Sequence, residues 1–178
     1  MDSRDAESLL AGAIPNRAGI WADLGAGDGT FTRALLGLLG PNALVYAIDH
    51  DREALATLMK STGITGESVI PVVADIARPF DLPGRAQPAL DGLLLANVLH
   101  YFRDPAALLG RFVAWLQPQG RVVIVEYDGR RANRWVPYPI SRAELPGVVQ
   151  RAGLSAPTIT ASRPSAYGGT IYVAAAEK

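Results

Sequence analysis

The 178-residue sequence contains no cysteine, which removes disulfide frameworks, thiolate nucleophiles and cysteine metal sites from consideration. It also lacks net charge. Seventeen Lys and Arg balance seventeen Asp and Glu, so nothing in the overall charge implies a nucleic-acid partner. No apolar run approaches the roughly 18 residues that a membrane span needs, and the opening Met1-Asp2-Ser3-Arg4-Asp5 is polar where a secretory signal would be apolar. A cytoplasmic protein with no membrane partner is therefore expected. Internal repeats, low-complexity tracts and linkers are missing too. One domain over residues 1–178 is the expectation, and a hydrophobic content of 49% suffices for one substantial core.

What is present is unevenly spread. Residues 1–128 carry ten Lys and Arg against fifteen Asp and Glu, a net of −5, and residues 129–178 carry seven against two, a net of +5. Along the chain, short, nearly continuous apolar runs alternate with segments of helical spacing. Residues 20–24, 43–48, 69–73, 92–96 and 121–126 read as buried strands bounded by turn residues. Residues 30–39, 52–60 and 105–116 read as helices, the last with Asp104 as N-cap and Pro105 in its first position. Beyond Glu126, Ser141-Arg142-Ala143-Glu144 forms a capping-box pattern opening a further helix, with Pro146 making its first turn irregular. Strands at 156–161 and 170–176 close the chain and are expected to pair antiparallel. This alternation predicts an α/β fold in three layers: a Rossmann-like, doubly wound, mostly parallel seven-stranded sheet with an antiparallel C-terminal strand and ligands at the carboxyl ends of the strands.

The glycine turn Asp23-Leu24-Gly25-Ala26-Gly27-Asp28-Gly29 joins the first strand to the first predicted helix and lets a ligand approach bare backbone. A nicotinamide-binding G-x-G-x-x-G would need its third glycine at position 30, where Thr30 stands. A carboxylate at Asp23 also repels a pyrophosphate and attracts an ammonium group or ribose hydroxyls. The segment resembles the class I S-adenosylmethionine-dependent methyltransferases of small single-domain type, whose signature is an acid followed by G-x-G-x-G. Three further motifs in family order carry the resemblance: Tyr46-Ala47-Ile48-Asp49, Val72-Val73-Ala74-Asp75-Ile76, and the run from Asp91 to His100.

The resemblance implies S-adenosyl-L-methionine as cofactor. It implies cofactor contacts from Asp23, Gly25, Ala26, Gly27, Asp49 with the adjacent His50, Asp75 with Ile76, and Asn97. Asp49 corresponds to the family's ribose-binding acid and Asp75 to its adenine-binding acid. Three acids at the ends of three successive strands share one edge of the sheet, and the start of the following helix adds a dipole suited to a carboxylate.

Methyl transfer from a sulfonium needs alignment more than acid or base assistance. His100 and Tyr101 are the candidate catalytic residues, with Glu126 and Tyr127 nearby. Asn97 lacks the following Pro-Pro-aromatic sequence of enzymes that methylate exocyclic amines of nucleic-acid bases, and Asp91 lies at the start of its strand rather than the end. Neither a nucleic-acid acceptor nor a metal is expected. The loop Arg130-Arg131-Ala132-Asn133-Arg134-Trp135 supplies Arg131, Arg134 and Trp135 as candidate contacts to a small-molecule acceptor, unless it is a solvated basic loop. The acceptor pocket is expected to be built from these loops and the N-terminal segment. Competing readings are a non-catalytic nucleoside-binding module and a nicotinamide-dependent oxidoreductase.

Overall fold

The computed structural model describes residues 1–15, 18–61, 65–84 and 89–178. Its strands are β1 (Ile20–Leu24), β2 (Leu44–Asp49), β3 (Val69–Val73), β4 (Leu90–Ala96), β5 (Leu116–Asp128), β6 (Thr158–Pro164) and β7 (Thr170–Glu177). The helices are α1 (Ser3–Leu10), α2 (Thr30–Leu39), α3 (Arg52–Met59), α4 (Pro105–Val113) and α5 (Leu145–Arg151). All seven strands form one sheet in the order β3-β2-β1-β4-β5-β7-β6. The first five are parallel, and β7 runs antiparallel to both neighbours, β5 and β6. The chain winds outward from β1 to β3 and then returns to place β4 on the other side of β1. That reversal opens a crevice at the carboxyl ends of β1 and β4.

Helices cover both faces, so the central strands are buried along nearly their whole length. The period-two alternation sorts the side chains. Trp21, Val45, Leu94, Val123 and Val173 meet α1 and α2, while Ala22, Tyr46, Leu93, Val122 and Ile124 meet α4 and α5. On the first face, α3 packs Leu55 and Leu58 against Ala47 and Val69. The N-cap expected at Asp104 forms, accepting from Ala107 N, and Asp51 caps α3 by accepting from Glu53 N and Ala54 N.

Some boundaries differ from the sequence expectation. The helix expected over 105–116 ends at Val113, because Leu116 is buried opposite Leu90 as the first residue of β5. β5 runs two residues past Glu126, since pairing with β7 continues to Asp128 opposite Thr170. The segment 3–10, without an expected element, is the helix α1, capped by Asp2 and buried through Ala6, Leu9 and Leu10. The Ser141/Glu144 box forms, with Ser141 N donating to Glu144 Oε2 at 2.9 Å and Glu144 N to Ser141 Oγ at 3.3 Å, and α5 begins just after it with Pro146 in its first turn.

Candidate functional site

At the crevice, the turn after β1 is anchored to β2 by Gly25 N and Ala26 N, both donating to Ile48 O, at 2.8 and 3.0 Å. Gly25 has a φ of +82°, and a Cβ there would run into the side chain of Val98. Only glycine satisfies both constraints. At Gly27 a Cβ would meet nothing within 4 Å, so the space beside the turn is open. Gly27 N donates to Asp49 Oδ2 at 2.8 Å, while Asp49 Oδ1 accepts from Asp51 N at 2.9 Å and lies 3.2 Å from His50 Nδ1. The carboxylate at the end of β2 is thus oriented by the backbone on both sides of it.

A cavity of about 610 Å³ opens next to this turn, lined by Gly25, Asp49, His50, Asp75, Asn97 and Tyr101, with Ile76 also on its wall. Asp75 Oδ1 accepts from Ala77 N at 2.9 Å. Asn97 follows β4 in the left-handed region, φ 59°, a conformation asparagine tolerates better than most side chains, and its N–H donates to Val125 O at 2.9 Å. Asp23, Ala26 and Gly27 are not on this cavity wall; Asp23 is sealed beneath the turn, 1% exposed. Its Oδ2 accepts from Thr32 Oγ1 at 2.6 Å. Burial pushes its pKa up to about 7 against the pull of the Thr32 hydroxyl, and Asp49 adds to the rise.

Two buried side-chain polar atoms have no partner among the described residues, Asp23 Oδ1 and Asn97 Oδ1. Asn97 Oδ1 is an acceptor beside the cavity, whereas Asp23 Oδ1 lies sealed beneath the turn. Buried acceptors left unpaired are costly, so this edge of the sheet is built to receive donors from a ligand. An amino-acid ammonium group and nucleoside hydroxyls are donors of that kind, and the uncapped start of α2 adds free backbone N–H groups for a carboxylate. The residues present therefore fit S-adenosylmethionine.

A second cavity of about 480 Å³ adjoins the first. It is lined by His100, Tyr127, Arg130, Trp135, Val136 and Tyr167, and Asn97 and Tyr101 lie on the walls of both cavities. His100 sits in a short 3-10 turn, Leu99–Tyr101, and is 2% exposed. Its Nδ1 is 2.7 Å from Oε2 of the fully buried Glu126, whose Oε1 accepts from the His100 backbone N–H at 3.1 Å. The loop after β5 is held over this cavity by the Tyr138 N–H, which donates to His100 O at 2.9 Å, and by the buried Tyr172 hydroxyl, which donates to Ile140 O at 2.8 Å. At the root of the loop Arg142 pairs with Asp128 at 2.7 Å, and that hydrogen bond holds the Asp128 carboxyl below its ordinary pKa.

Of the loop residues singled out in the sequence, Trp135 is on the cavity wall, whereas Arg131 and Arg134 are exposed and off it. Arg134 instead lies over the Trp135 ring, 4.0 Å from its centroid. The guanidinium on the wall is Arg130. The N-terminal segment is also absent from it. α1 packs on α2 and against β6, and none of its residues lines either cavity. The sequence reading left out Arg130, Tyr167 and Thr32. Tyr167 carried a signal, an aromatic directly before Gly168-Gly169. Thr32 carried none, because its bond to Asp23 depends on how α2 lies on β1. The basic C-terminal stretch does not form one patch, since Arg142 pairs with Asp128, Arg163 with Asp5 at 3.6 Å, and Lys178 Nζ with Leu116 O at 2.6 Å.

The sheet order, the glycine turn and the donor-seeking crevice define a class I S-adenosylmethionine-dependent methyltransferase. The Methyltransferase domain family model matches residues 22–122, more than half of the chain, and the protein belongs to that family. It is similar along 99% of its length to the 1,6-didemethyltoxoflavin-N1-methyltransferase of Burkholderia thailandensis, solved with 1,6-didemethyltoxoflavin and S-adenosylhomocysteine. That match is 27% identical, has a TM-score of 0.72, and covers 77% of the neighbour. An S-adenosylmethionine-dependent methyltransferase from Mesorhizobium loti shares the fold at 18% identity and a TM-score of 0.69, with 97% of this chain and 98% of that one covered. Among curated proteins, the Ribosomal RNA small subunit methyltransferase H of Verminephrobacter eiseniae (strain EF01-2) is 45% identical over 56 residues, 32% of this chain. The chain spans less than a fifth of the length of that relative. The chain thus carries a Methyltransferase domain with the fold of these S-adenosylmethionine-dependent enzymes. Among the described residues, no helix is long and apolar enough to cross a membrane.

Proposed function

We propose that this protein, acting as one domain, transfers the methyl group of S-adenosylmethionine to a small-molecule acceptor held in the cavity beneath Trp135. The observation that carries the reading is the shared wall: Asn97 and Tyr101 border both cavities, so a ligand in each would meet across those two residues. At the first cavity, Asp49 would take the ribose hydroxyls and Asp75 the adenine amine, the turn after β1 would let the cofactor approach bare backbone at Gly25, and Asn97 would accept one of its donors. Bound there, S-adenosylmethionine supplies an electrophilic methyl on a positively charged sulfur that leaves as a neutral thioether.

The chain's own contribution is alignment and one proton acceptor. Glu126 takes the Nδ1–H of His100, which leaves Nε2 as the proton-accepting atom of the ring. The acceptor's O–H or N–H proton passes to Nε2 as its heteroatom gains the methyl group. Desolvation holds the Tyr127 phenol above its ordinary pKa, with Arg130 opposing, so Tyr127 stays a hydrogen-bond donor at neutral pH. The Burkholderia thailandensis neighbour, solved with bound 1,6-didemethyltoxoflavin, supports a small-molecule acceptor. The ribosomal RNA methyltransferase shares too small a part of its length to bring its acceptor here.

S-adenosylhomocysteine at about 100 times its Kd is expected to stabilise the protein by roughly 2.7 kcal/mol, a Tm increase of roughly 5–10 °C for a chain of this size, whereas NAD leaves Tm unchanged. Asp49→Ala is expected to weaken that ligand by roughly 1–3 kcal/mol, because the variant removes a charged acceptor and frees the Gly27 and Asp51 N–H groups it oriented. Thermal denaturation of both proteins with each ligand is the check. A shift with NAD and none with S-adenosylhomocysteine would overturn the cofactor assignment, and labelled-methyl transfer into a metabolite extract tests the reaction itself.

A further inference from the structure

Among the described residues, seven large hydrophobic side chains are exposed, and three of them, Tyr101, Trp135 and Tyr167, gather on one cavity wall at 53, 60 and 76% exposure. Singly scattered exposed rings need no explanation, but rings collected around one concavity mark a binding surface. Tyr127 adds a fourth ring to this wall. The Arg130 guanidinium lies 4.6 Å from the Tyr127 ring centroid and 5.8 Å from that of Tyr167, and no carboxylate pairs with it among the described residues. The cavity therefore offers π faces, one unneutralised cation and the imidazole of His100, and no carboxylate on its surface.

These rings are held in place. Trp135 sits in a tight turn in which Asn133 Oδ1 accepts from Trp135 N at 2.9 Å and Val136 N at 3.1 Å, with Val136 buried beneath it. Tyr167 is carried by the β6–β7 hairpin, closed by Ser165 N donating to Gly169 O at 3.0 Å. A Cβ on Gly169 would stand 2.5 Å from Asp128 O, so the hairpin lies directly on the end of β5. A prearranged aromatic slot favours a ligand with a flat π face, which gains stacking on several walls for little ordering cost, over an aliphatic one that gains only area.

We infer that the acceptor is a free planar aromatic or heteroaromatic molecule, which presents an ionisable O–H or N–H to His100 and an electron-rich edge to Arg130. This inference rests on the methyl-transfer reading of the same site. A base within a nucleic acid strand has the same flat face, but its phosphates need a track of cations. Among the described residues the cavity wall has Arg130 alone; Arg131 and Arg134 lie off it, Arg134 over the Trp135 ring, and Arg142, Arg163 and Lys178 are engaged elsewhere.

The test is a titration, by ligand-observed NMR and calorimetry, of the protein with and without S-adenosylhomocysteine. The probes are 2-naphthol, its saturated counterpart trans-decahydro-2-naphthol, and a single-stranded RNA hexamer. 2-Naphthol is expected to bind at least tenfold more tightly than the saturated alcohol. Arg130→Gln and Trp135→Ala should each weaken it roughly three- to thirtyfold, with Trp135→Phe restoring most of the affinity. S-adenosylhomocysteine affinity should stay within about twofold in all three variants, which also reports that they are folded. Equal binding of the flat and saturated alcohols, no effect of either variant on 2-naphthol, or tighter binding of the RNA would each overturn the inference. Loss of S-adenosylhomocysteine binding alongside an intact preference for 2-naphthol would strike the methyl-transfer reading and leave the ring-binding slot standing.

Discussion

Between pH 4 and pH 8, ligand-free protein is expected to lose roughly 4 kcal/mol of stability relative to the Asp23→Asn variant. The unfolded chain releases the Asp23 proton near the ordinary value of 3.8, whereas burial keeps the folded chain protonated up to about 7. Across that window the folded state binds more protons than the unfolded state, so stability falls as pH rises, and it levels off above about 7. Asparagine has nearly the same shape, accepts the Thr32 hydroxyl through its carbonyl and carries no proton to lose. Its profile keeps every other slope and lacks this one. Urea denaturation of both proteins at pH 4, 5.5, 7 and 8 measures the difference, and parallel profiles would mean that the Asp23 carboxyl titrates normally. The cost of ionising Asp23 in the free protein is consistent with its unpartnered Oδ1, which lacks the donor that would stabilise the charge.

The largest effect on turnover is expected at His100. With an acceptor identified and cofactor saturating, His100→Gln should lower kcat by roughly 100- to 10,000-fold and leave S-adenosylhomocysteine affinity unchanged. Glutamine is preferred to alanine because truncation would leave the fully buried Glu126 with only the His100 backbone N–H, a defect costing roughly 3–5 kcal/mol in folding that would confuse the result. Glu126→Gln should lower kcat less and shift its pH dependence, since the imidazole loses the partner that sets its tautomer. A His100→Gln enzyme within threefold of wild type would reduce the His100–Glu126 pair to a packing element and leave alignment as the chain's whole contribution.

The glycine turn and the strand-end acids were legible in the sequence because they are written locally. Gly25, Asp49 and Asp75 each sit within a residue or two of a strand end, and a parallel sheet brings successive strand ends to one edge whatever the details of packing. The acceptor side was not. The Arg131/Arg134 expectation came from charge clustering, and charge clustering does not determine which of three neighbouring arginines turns inward. Arg130 faces the cavity because β5 extends to Asp128 and the Tyr127 and Tyr167 rings stand beside it. Tyr167 reaches the site from 40 residues along the chain through the β6–β7 hairpin, a separation at which no local pattern carries information.

By itself the amino-acid sequence determined the order along the chain and type of the five parallel strands, the capped start of α4, the glycine turn and the acids at the ends of three of the strands. All of these depend on hydrophobic period and backbone conformational preference, which act over a few residues. Only the tertiary structure decided that α1 is a helix packed on α2, that Thr32 holds Asp23, that Glu126 lies behind His100, and that four aromatic rings and Arg130 enclose one space. Those features join residues distant in sequence, and their positions follow from how sheet and helices close-pack, where shape and volume at each contact choose the arrangement.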